Sequence, residues 1–319
     1  MRPYLRTLSL GRRAIQNMVT RKPLCVSFEI THSCNARCRH CHRGGMVNER
    51  QAAPGQYAAI CREISPPVIQ ISGGEPLLRR DVEDIVRALR QPGRAPFQIF
   101  VTNAALLNPD RFARLRMAGI DEFSISLDYP DDRHDSFRNI PGLFNHIVAL
   151  AERLDPAEVR AVTFNCVVTR YNFRDLAALA ALARELGAAM NYSPYTWMRT
   201  GDRDFMIPPE NLPEFRDIIA KLADFKRRYR TIRTSEAFFR DMVLFFENES
   251  IPDCRAGERF LVVNPDGSFS PCGLIMTSFA NRRDLVREFS RANTCAACNT
   301  CIRAGTEQPF NNLLAAALE

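Results

Sequence analysis

From Leu24 onward, short apolar stretches alternate with amphipathic ones. Leu24–Ile30, Val68–Ile71, Phe97–Val101, Glu122–Leu127, Val159–Thr169 and Met190–Tyr195 read as strands. Between them Gln56–Glu63, Asp81–Leu89, Pro109–Ala118, Leu143–Arg153 and Asp175–Leu186 read as helices. In the second of these, Val82, Ile85, Val86 and Leu89 recur at helical spacing. Gly119 and Gly187 are helix-stop signals, and Tyr129 to Gly142 reads as a polar loop. A succession of β/α units implies parallel strands with right-handed crossovers. An eight-unit barrel takes about 250 residues and only about 175 carry the pattern here, so a partial (β/α)6 barrel is expected within the α/β class.

After Tyr195 the pattern changes. Trp197–Pro209 reads as a loop, Asn211–Arg230 and Ser235–Asn248 as helices, the second rich in phenylalanine. Two short apolar runs, Arg259–Val263 and Ser268–Pro271, flank the turn Asn264-Pro265-Asp266-Gly267, which is a hairpin signal. Asp284–Phe289 sits in a short helix, and the tail from Arg303 reads as a loop and a terminal helix. The expected division is an amphipathic segment 1–22, a core barrel 23–209, and a helical linker with a cysteine-rich extension over 210–319. In the first segment Arg2, Arg6, Arg12 and Arg13 stand among Leu5, Leu8, Leu10, Ile15 and Met18. Such a helix packs across the bottom of the barrel, the commoner outcome, or lies on an anionic membrane surface. No stretch approaches the roughly 20 apolar residues of a membrane span.

A hydrophobic content of 46% and a charged content of 25% are ordinary for a globular protein. The net charge of +7, from 43 basic and 36 acidic residues, is too mild to imply nucleic-acid binding. An anionic cosubstrate or a membrane surface accounts for it equally well. The eleven cysteines change the picture more. Eight fall in two groups: Cys34, Cys38 and Cys41, then Cys254, Cys272, Cys295, Cys298 and Cys301. Cys25, Cys61 and Cys166 stand in apolar settings as expected core thiols. Met1 to Thr20 lacks the apolar run of a secretory signal, so a cytoplasmic location is expected. There, clustered thiols bind metal rather than pair as disulfides.

Cys34, Cys38 and Cys41 lie on one loop after the first strand. Three thiolates can hold three corners of a cubane iron–sulfur cluster, leaving a fourth corner open for chemistry, as in catalytic metal sites. Ser72-Gly73-Gly74-Glu75-Pro76 ends the second strand, Asn103 follows the third, Ser126 and Asp128 end the fourth, Asn165 lies in the fifth and Tyr195 ends the sixth. These are the strand ends where α/β sheets build their sites. Tyr195, Trp197, Arg199 and His134 are further candidates for a substrate pocket, each more commonly a packing or surface residue.

The cysteine loop and the Ser72–Pro76 loop together resemble the signature of the radical S-adenosylmethionine (SAM) enzymes. The resemblance implies an open, TIM-like barrel and a 4Fe–4S cluster on Cys34, Cys38 and Cys41 with SAM on its open iron. It implies that Gly73 and Gly74 let the backbone approach SAM, that Glu75 meets its ammonium, and that Ser126 and Arg138 hold its carboxylate or ribose. His40 takes the position that contacts adenine, and Asn103 and Asn165 complete the expected cofactor-binding set.

The second cysteine group resembles the SPASM/twitch extension of the same enzymes. A full SPASM domain binds two clusters with seven cysteines; five here imply one auxiliary 4Fe–4S cluster, on Cys254, Cys272 and two of Cys295, Cys298 and Cys301. Zinc is the alternative at either group, more so at the second. The implied activity is reductive cleavage of SAM to a 5′-deoxyadenosyl radical, which abstracts hydrogen from a small-molecule or peptide substrate. The outcome is an oxidation, a cross-link or another modification, fed by an electron donor such as flavodoxin or ferredoxin. No leader-peptide-binding domain precedes the barrel pattern, which weakens a peptide-modifying role, and a molybdopterin-cyclase reading lacks its C-terminal arginine motif. A hopanoid- or lipid-directed enzyme at the membrane surface is one alternative. A non-catalytic iron–sulfur or zinc protein is the other.

Overall fold

The computed structural model describes residues 3–91 and 95–308; Arg2 and the tail beyond Gln308 lie outside them. The strands are β1 (Cys25–Thr31), β2 (Val68–Gly73), β3 (Phe97–Thr102), β4 (Glu122–Ser126), β5 (Val162–Val168), β6 (Ala189–Pro194), β7 (Phe260–Val263) and β8 (Phe269–Ser270). The helices are α1 (Pro3–Val19), α2 (Pro54–Ile64), α3 (Val82–Leu89), α4 (Pro109–Ala118), α5 (Arg133–Arg138) and α6 (Leu143–Arg153). They continue with α7 (Pro156–Val159), α8 (Leu176–Glu185), α9 (Leu212–Tyr229), α10 (Glu236–Asn248), α11 (Arg282–Glu288) and α12 (Cys301–Glu307).

One sheet runs in the order β6-β5-β4-β3-β2-β1-β7-β8. Every neighbouring pair is parallel except β7 and β8. The six expected β/α units are thus present and form an open barrel. The hairpin after the two long helices does more than expected. Its first strand pairs with β1, from Cys25 opposite Phe260 to Phe28 opposite Val263, so the C-terminal extension lengthens the barrel wall.

Two local expectations are corrected. The loop Tyr129–Gly142 contains α5, and the fifth strand starts at Val162 rather than Val159. Asp155 accepts from the Ala157 and Glu158 amides and Pro156 follows it, so Pro156–Val159 winds into a helical turn; both are helix-start features. Within Trp197–Pro209 the chain also makes short 3-10 turns.

Successive side chains of a strand point to opposite faces, and here the two faces differ in chemistry. Val26 and Phe28 of β1, Phe123 and Ile125 of β4, and Phe164, Cys166 and Val168 of β5 are buried in the core beneath the helices. Ser27, Ser124, Ser126, Thr163 and Asn165 line a cavity inside the barrel. A small closed barrel fills its interior with packed side chains; this open one encloses a cavity that β1, β2, β4 and β6 line with polar side chains and β3 and β7 largely with apolar ones.

The bottom of the barrel is covered by α1. Arg6 pairs with Asp121 and donates to the Pro96 carbonyl (3.2 Å). Arg13 donates to Pro66 O (3.3 Å), and Asn17 Nδ2 donates to Pro23 O (2.8 Å) and Ser65 O (3.1 Å). These acceptors sit just before β1, β2, β3 and β4. The polar side of α1 therefore faces the protein, while Leu8, Ile15 and Val19 are 52%, 46% and 78% exposed.

Candidate active site

The three-cysteine loop is pinned at its base. Cys34 N donates to Gly45 O (2.9 Å) in a short antiparallel bridge, and Glu49 accepts from Thr31 Oγ1 (2.6 Å) and His32 N (3.0 Å). Cys34 and Cys38 are buried and Cys41 half-buried. Amides converge on the sulfurs: Ala36 N donates to Cys34 Sγ and Arg43 N to Cys41 Sγ, each at 3.4 Å. Hydrogen bonds of this kind tune iron–sulfur clusters. Burial pushes the Cys34 thiol up to about 11.

The glycine loop lies directly on the cysteine loop. Gly74 N donates to Thr31 O (2.7 Å) and Glu75 N to Ser33 O (2.8 Å). A Cβ on Gly73, where φ is +141°, would stand 2.1 Å from Thr31 O, and one on Gly74 2.2 Å from Ser33 O. Only glycine fits at either position, and both residues line the cavity.

Glu75 turns the other way. Its carboxylate is fully buried, accepting from Leu77 N (3.1 Å), Thr102 Oγ1 (2.8 Å) and Asn103 N (2.8 Å). It is not among the side chains that line the cavity. Glu75 thus ties the β2 loop to the end of β3. Asn103, held by it, lines the cavity and donates from Nδ2 to Asn35 Oδ1 (2.8 Å).

Ser126 and Asn165 face the cavity, with Asn191 Nδ2 donating to Asn165 Oδ1 (2.7 Å). Arg138, on α5, also lines it; Nε donates to Asp128 (2.6 Å), and its carbonyl accepts from the Cys38 thiol (3.7 Å). Although burial alone would raise the Asp128 carboxyl, Arg138 and His134 hold it below the usual carboxylate range. His134 Nδ1 accepts from Asp128 N (3.1 Å), and burial lowers this histidine to about 4, so the contact is a neutral one. His40 is 2% exposed and stacks on Phe137 with ring centres 4.3 Å apart. Burial lowers it to about 3, and its Nδ1 lacks a partner among the described residues. Of the four further pocket candidates, Arg199 lines the cavity, while Tyr195 is buried with its hydroxyl donating to Asp202 O (2.9 Å). His134 and Trp197 are packing residues.

Cys254, Cys272, Cys295, Cys298 and Cys301 line the same cavity, whose volume is about 820 Å³. The Cys254 thiol donates to the Cys295 sulfur, which raises the first and lowers the second. Cys272 has Cys298 and Cys295 as neighbours. Cys301 instead turns to Ser193 and Arg199, and its amide donates to Ser193 Oγ (3.3 Å). The loops carrying these thiols are gathered by Arg303, a residue sequence reasoning gave no role. Fully buried, it donates to Cys298 O (2.6 Å), Ile251 O (2.8 Å) and Pro252 O (2.6 Å), and pairs with Glu307 (2.8 Å). Among the described residues, no three cysteine, histidine or acidic side chains converge as the donors of a single metal ion would. Ligands of a cubane cluster bind separate iron corners and need not converge on one point.

The family whose model matches this chain is the Radical SAM superfamily, over residues 28–183. The AdoMet-dependent heme synthase of Methanosarcina barkeri is 27% identical over 83% of this chain and 81% of its own length. The mycofactocin maturase MftC of Mycobacterium ulcerans is 25% identical over 88% of this chain and 80% of its own. Among solved structures, Streptococcus suis SuiB superposes with a TM-score of 0.66 at 16% identity, covering 89% of this chain and 70% of that one.

Proposed function

This chain belongs to the radical SAM superfamily, and from that premise we propose that Cys34, Cys38 and Cys41 hold a 4Fe–4S cluster that cleaves SAM within the barrel. One observation carries the proposal: the three-thiol loop and the Gly73-Gly74 cradle stand side by side and line one cavity. Bound there, the reduced cluster and SAM together supply methionine and a 5′-deoxyadenosyl radical that takes a hydrogen atom from the substrate. The protein's own residues position and shield. Gly73 and Gly74 give the ligand backbone contact without a side chain in the way. Ser126, Asn165 and Arg138 offer hydroxyl, amide and guanidinium groups to SAM, and His40 offers a neutral ring face. Glu75 holds Asn103 in place.

Residues 210–319 would carry an auxiliary 4Fe–4S cluster, with Cys254, Cys272, Cys295 and Cys298 as ligands and Cys301 the spare thiol. The support is the contact among the first four and the orientation of Cys301 toward Ser193 and Arg199. The auxiliary cluster would accept an electron from the substrate radical, making the net reaction an oxidation or cross-link. A flavodoxin or ferredoxin would supply the catalytic electron, and the substrate is a small molecule or peptide.

Anaerobic reconstitution tests both assignments. About eight irons per chain are expected for two cubanes, falling to about four when Cys34, Cys38 and Cys41 are replaced by alanine. Cys298→Ser should also fall to about four, and Cys301→Ser should keep about eight. Zinc without sulfide, or loss of iron in Cys301→Ser but not Cys298→Ser, would contradict the assignment. Peripheral membrane contact is a second reading of location, favoured by the outward Leu8, Ile15 and Val19 beside exposed Arg12. No helix among the described residues is long and apolar enough to cross a membrane.

A further inference from the structure

The segment between α9 and α10 docks on the free edge of β6. Met190 N donates to Thr231 O and Arg233 N to Met190 O, both at 2.8 Å, forming a parallel bridge between Met190 and Ile232. Thr234 Oγ1 accepts from Tyr192 N (2.8 Å) and donates to Asn191 Oδ1 (2.9 Å), and Lys226 Nζ donates to Ile232 O (2.9 Å). Strand alternation then sets the side chains. Ile232 is buried at 2% exposure, and Arg233 lines the cavity near the start of β6. Arg240, farther along α10, lines the same cavity.

The backbone here is held on several sides, yet the acids near the two guanidinium groups, Glu122 by Arg233 and Asp241 by Arg240, act on them through space and not through a direct ion pair. Neither Arg233 nor Arg240 forms an ion pair or side-chain hydrogen bond with a described residue. Elsewhere in the cavity Arg43 pairs with Glu29 (2.7 Å), Arg138 with Asp128 (2.6 Å) and Glu236 with Arg227 (2.9 Å), while Arg199, near Cys301, is a third guanidinium with no ion pair among the described residues. The carboxylate facing Arg233 is Glu122, across the barrel floor, and burial works against its ionisation. A guanidinium is permanently charged and presents a donor fork that suits carboxylate and phosphate oxygens. Placed on the wall of a cleft, it concentrates such anions. The remaining wall mixes hydroxyl and amide groups (Ser27, Ser72, Ser124, Thr163, Asn191) with apolar side chains (Ile99, Val101, Phe260, Val262), and the volume of about 820 Å³ falls within the range of about 300–1,000 Å³ usual for small-molecule sites.

We propose that Arg233 and Arg240 form an anion subsite, binding a carboxylate or phosphate group of a small-molecule substrate whose reactive end extends toward the cysteine end of the barrel. This orientation rests on the SAM-cleaving reading above. The test is calorimetric titration of the reconstituted protein with benzene-1,3,5-tricarboxylate, with inorganic triphosphate, and with the neutral trimethyl ester of the first. At least one anion should bind more tightly than the ester and weaken as salt rises. The tighter of the two tells carboxylate from phosphate. In Arg233→Gln/Arg240→Gln its Kd should rise at least tenfold. Arg233→Lys, which keeps the charge and loses the fork, should fall between, and Arg240→Gln alone gives a second reading if the double variant does not fold. Binding of the ester as tightly as both anions, or unchanged anion affinity in a folded double or single Gln variant, would overturn the subsite. Failure of the SAM-cleaving reading shows separately, as absent 5′-deoxyadenosine from the unaltered protein, and leaves the anion titration intact.

Discussion

Glu75 shows how a residue can be recognised from sequence while its partners in the fold are not. The Gly-Gly-Glu pattern after an apolar strand marked it, but its partners, Thr102 and Asn103, come from a different strand, and no local pattern reveals that. Glu75→Gln replaces one acceptor oxygen with a donor facing N–H or O–H groups, which should destabilise the fold by about 1–3 kcal/mol. Urea denaturation without SAM checks this, and unchanged stability would contradict the bracing role. His134 gives a pH signature. Its folded value of about 4 lies below the ordinary 6.5, so the unfolded chain binds the proton more readily. Stability should therefore fall as pH drops from about 6.5 to about 4, by on the order of 3 kcal/mol. His134→Asn, which keeps an acceptor for the Asp128 amide, should flatten that part of the profile; an identical slope in the variant would assign it elsewhere. Asp128 contributes at lower pH. Its depressed value gives stability that is present above the unfolded carboxyl range and lost as pH falls through the folded value.

At the level of elements, α1 was legible as an amphipathic helix packing across the barrel bottom, but its facing was not. Amphipathic helices ordinarily bury their apolar stripe. Here the acceptors before four strands draw Arg6, Arg13 and Asn17 inward instead, and all of those acceptors but Pro23 lie far along the chain from α1. Asn17→Ala should cost about 1–3 kcal/mol through the two bonds it leaves unmade. The outward face behaves differently. Serine at Leu8, Ile15 and Val19 should change stability by no more than about 0.5 kcal/mol each. If α1 contacts membranes, the triple variant should lose flotation with anionic vesicles; equal flotation of variant and unaltered protein, or none in either, removes that reading. The segment Thr231–Thr234 carries its own local signal: β-branched and polar residues alternating between two helices, which suit a short edge strand.

For the whole molecule, the six β/α units were readable because each is a local pattern. The docking of the hairpin on β1 was not, since it joins Cys25 to Phe260 across most of the chain. The strand sequences nevertheless held a clue to the cavity. Parallel strands buried on both faces read as continuous apolar runs, whereas β4 (Glu-Phe-Ser-Ile-Ser) alternates, because one face lines polar space. That space brings both cysteine groups, the glycine cradle and the unpaired arginines onto one wall-to-wall site, a convergence that depends on strand order rather than on any motif. The most direct test of the account is 5′-deoxyadenosine formation by the anaerobically reconstituted protein given SAM and dithionite. The nucleoside should accumulate with the unaltered chain and vanish in Cys34→Ala, Cys38→Ala and Cys41→Ala. Its absence from protein with an intact cluster, or its persistence in those variants, would contradict the assignment of SAM cleavage to this loop.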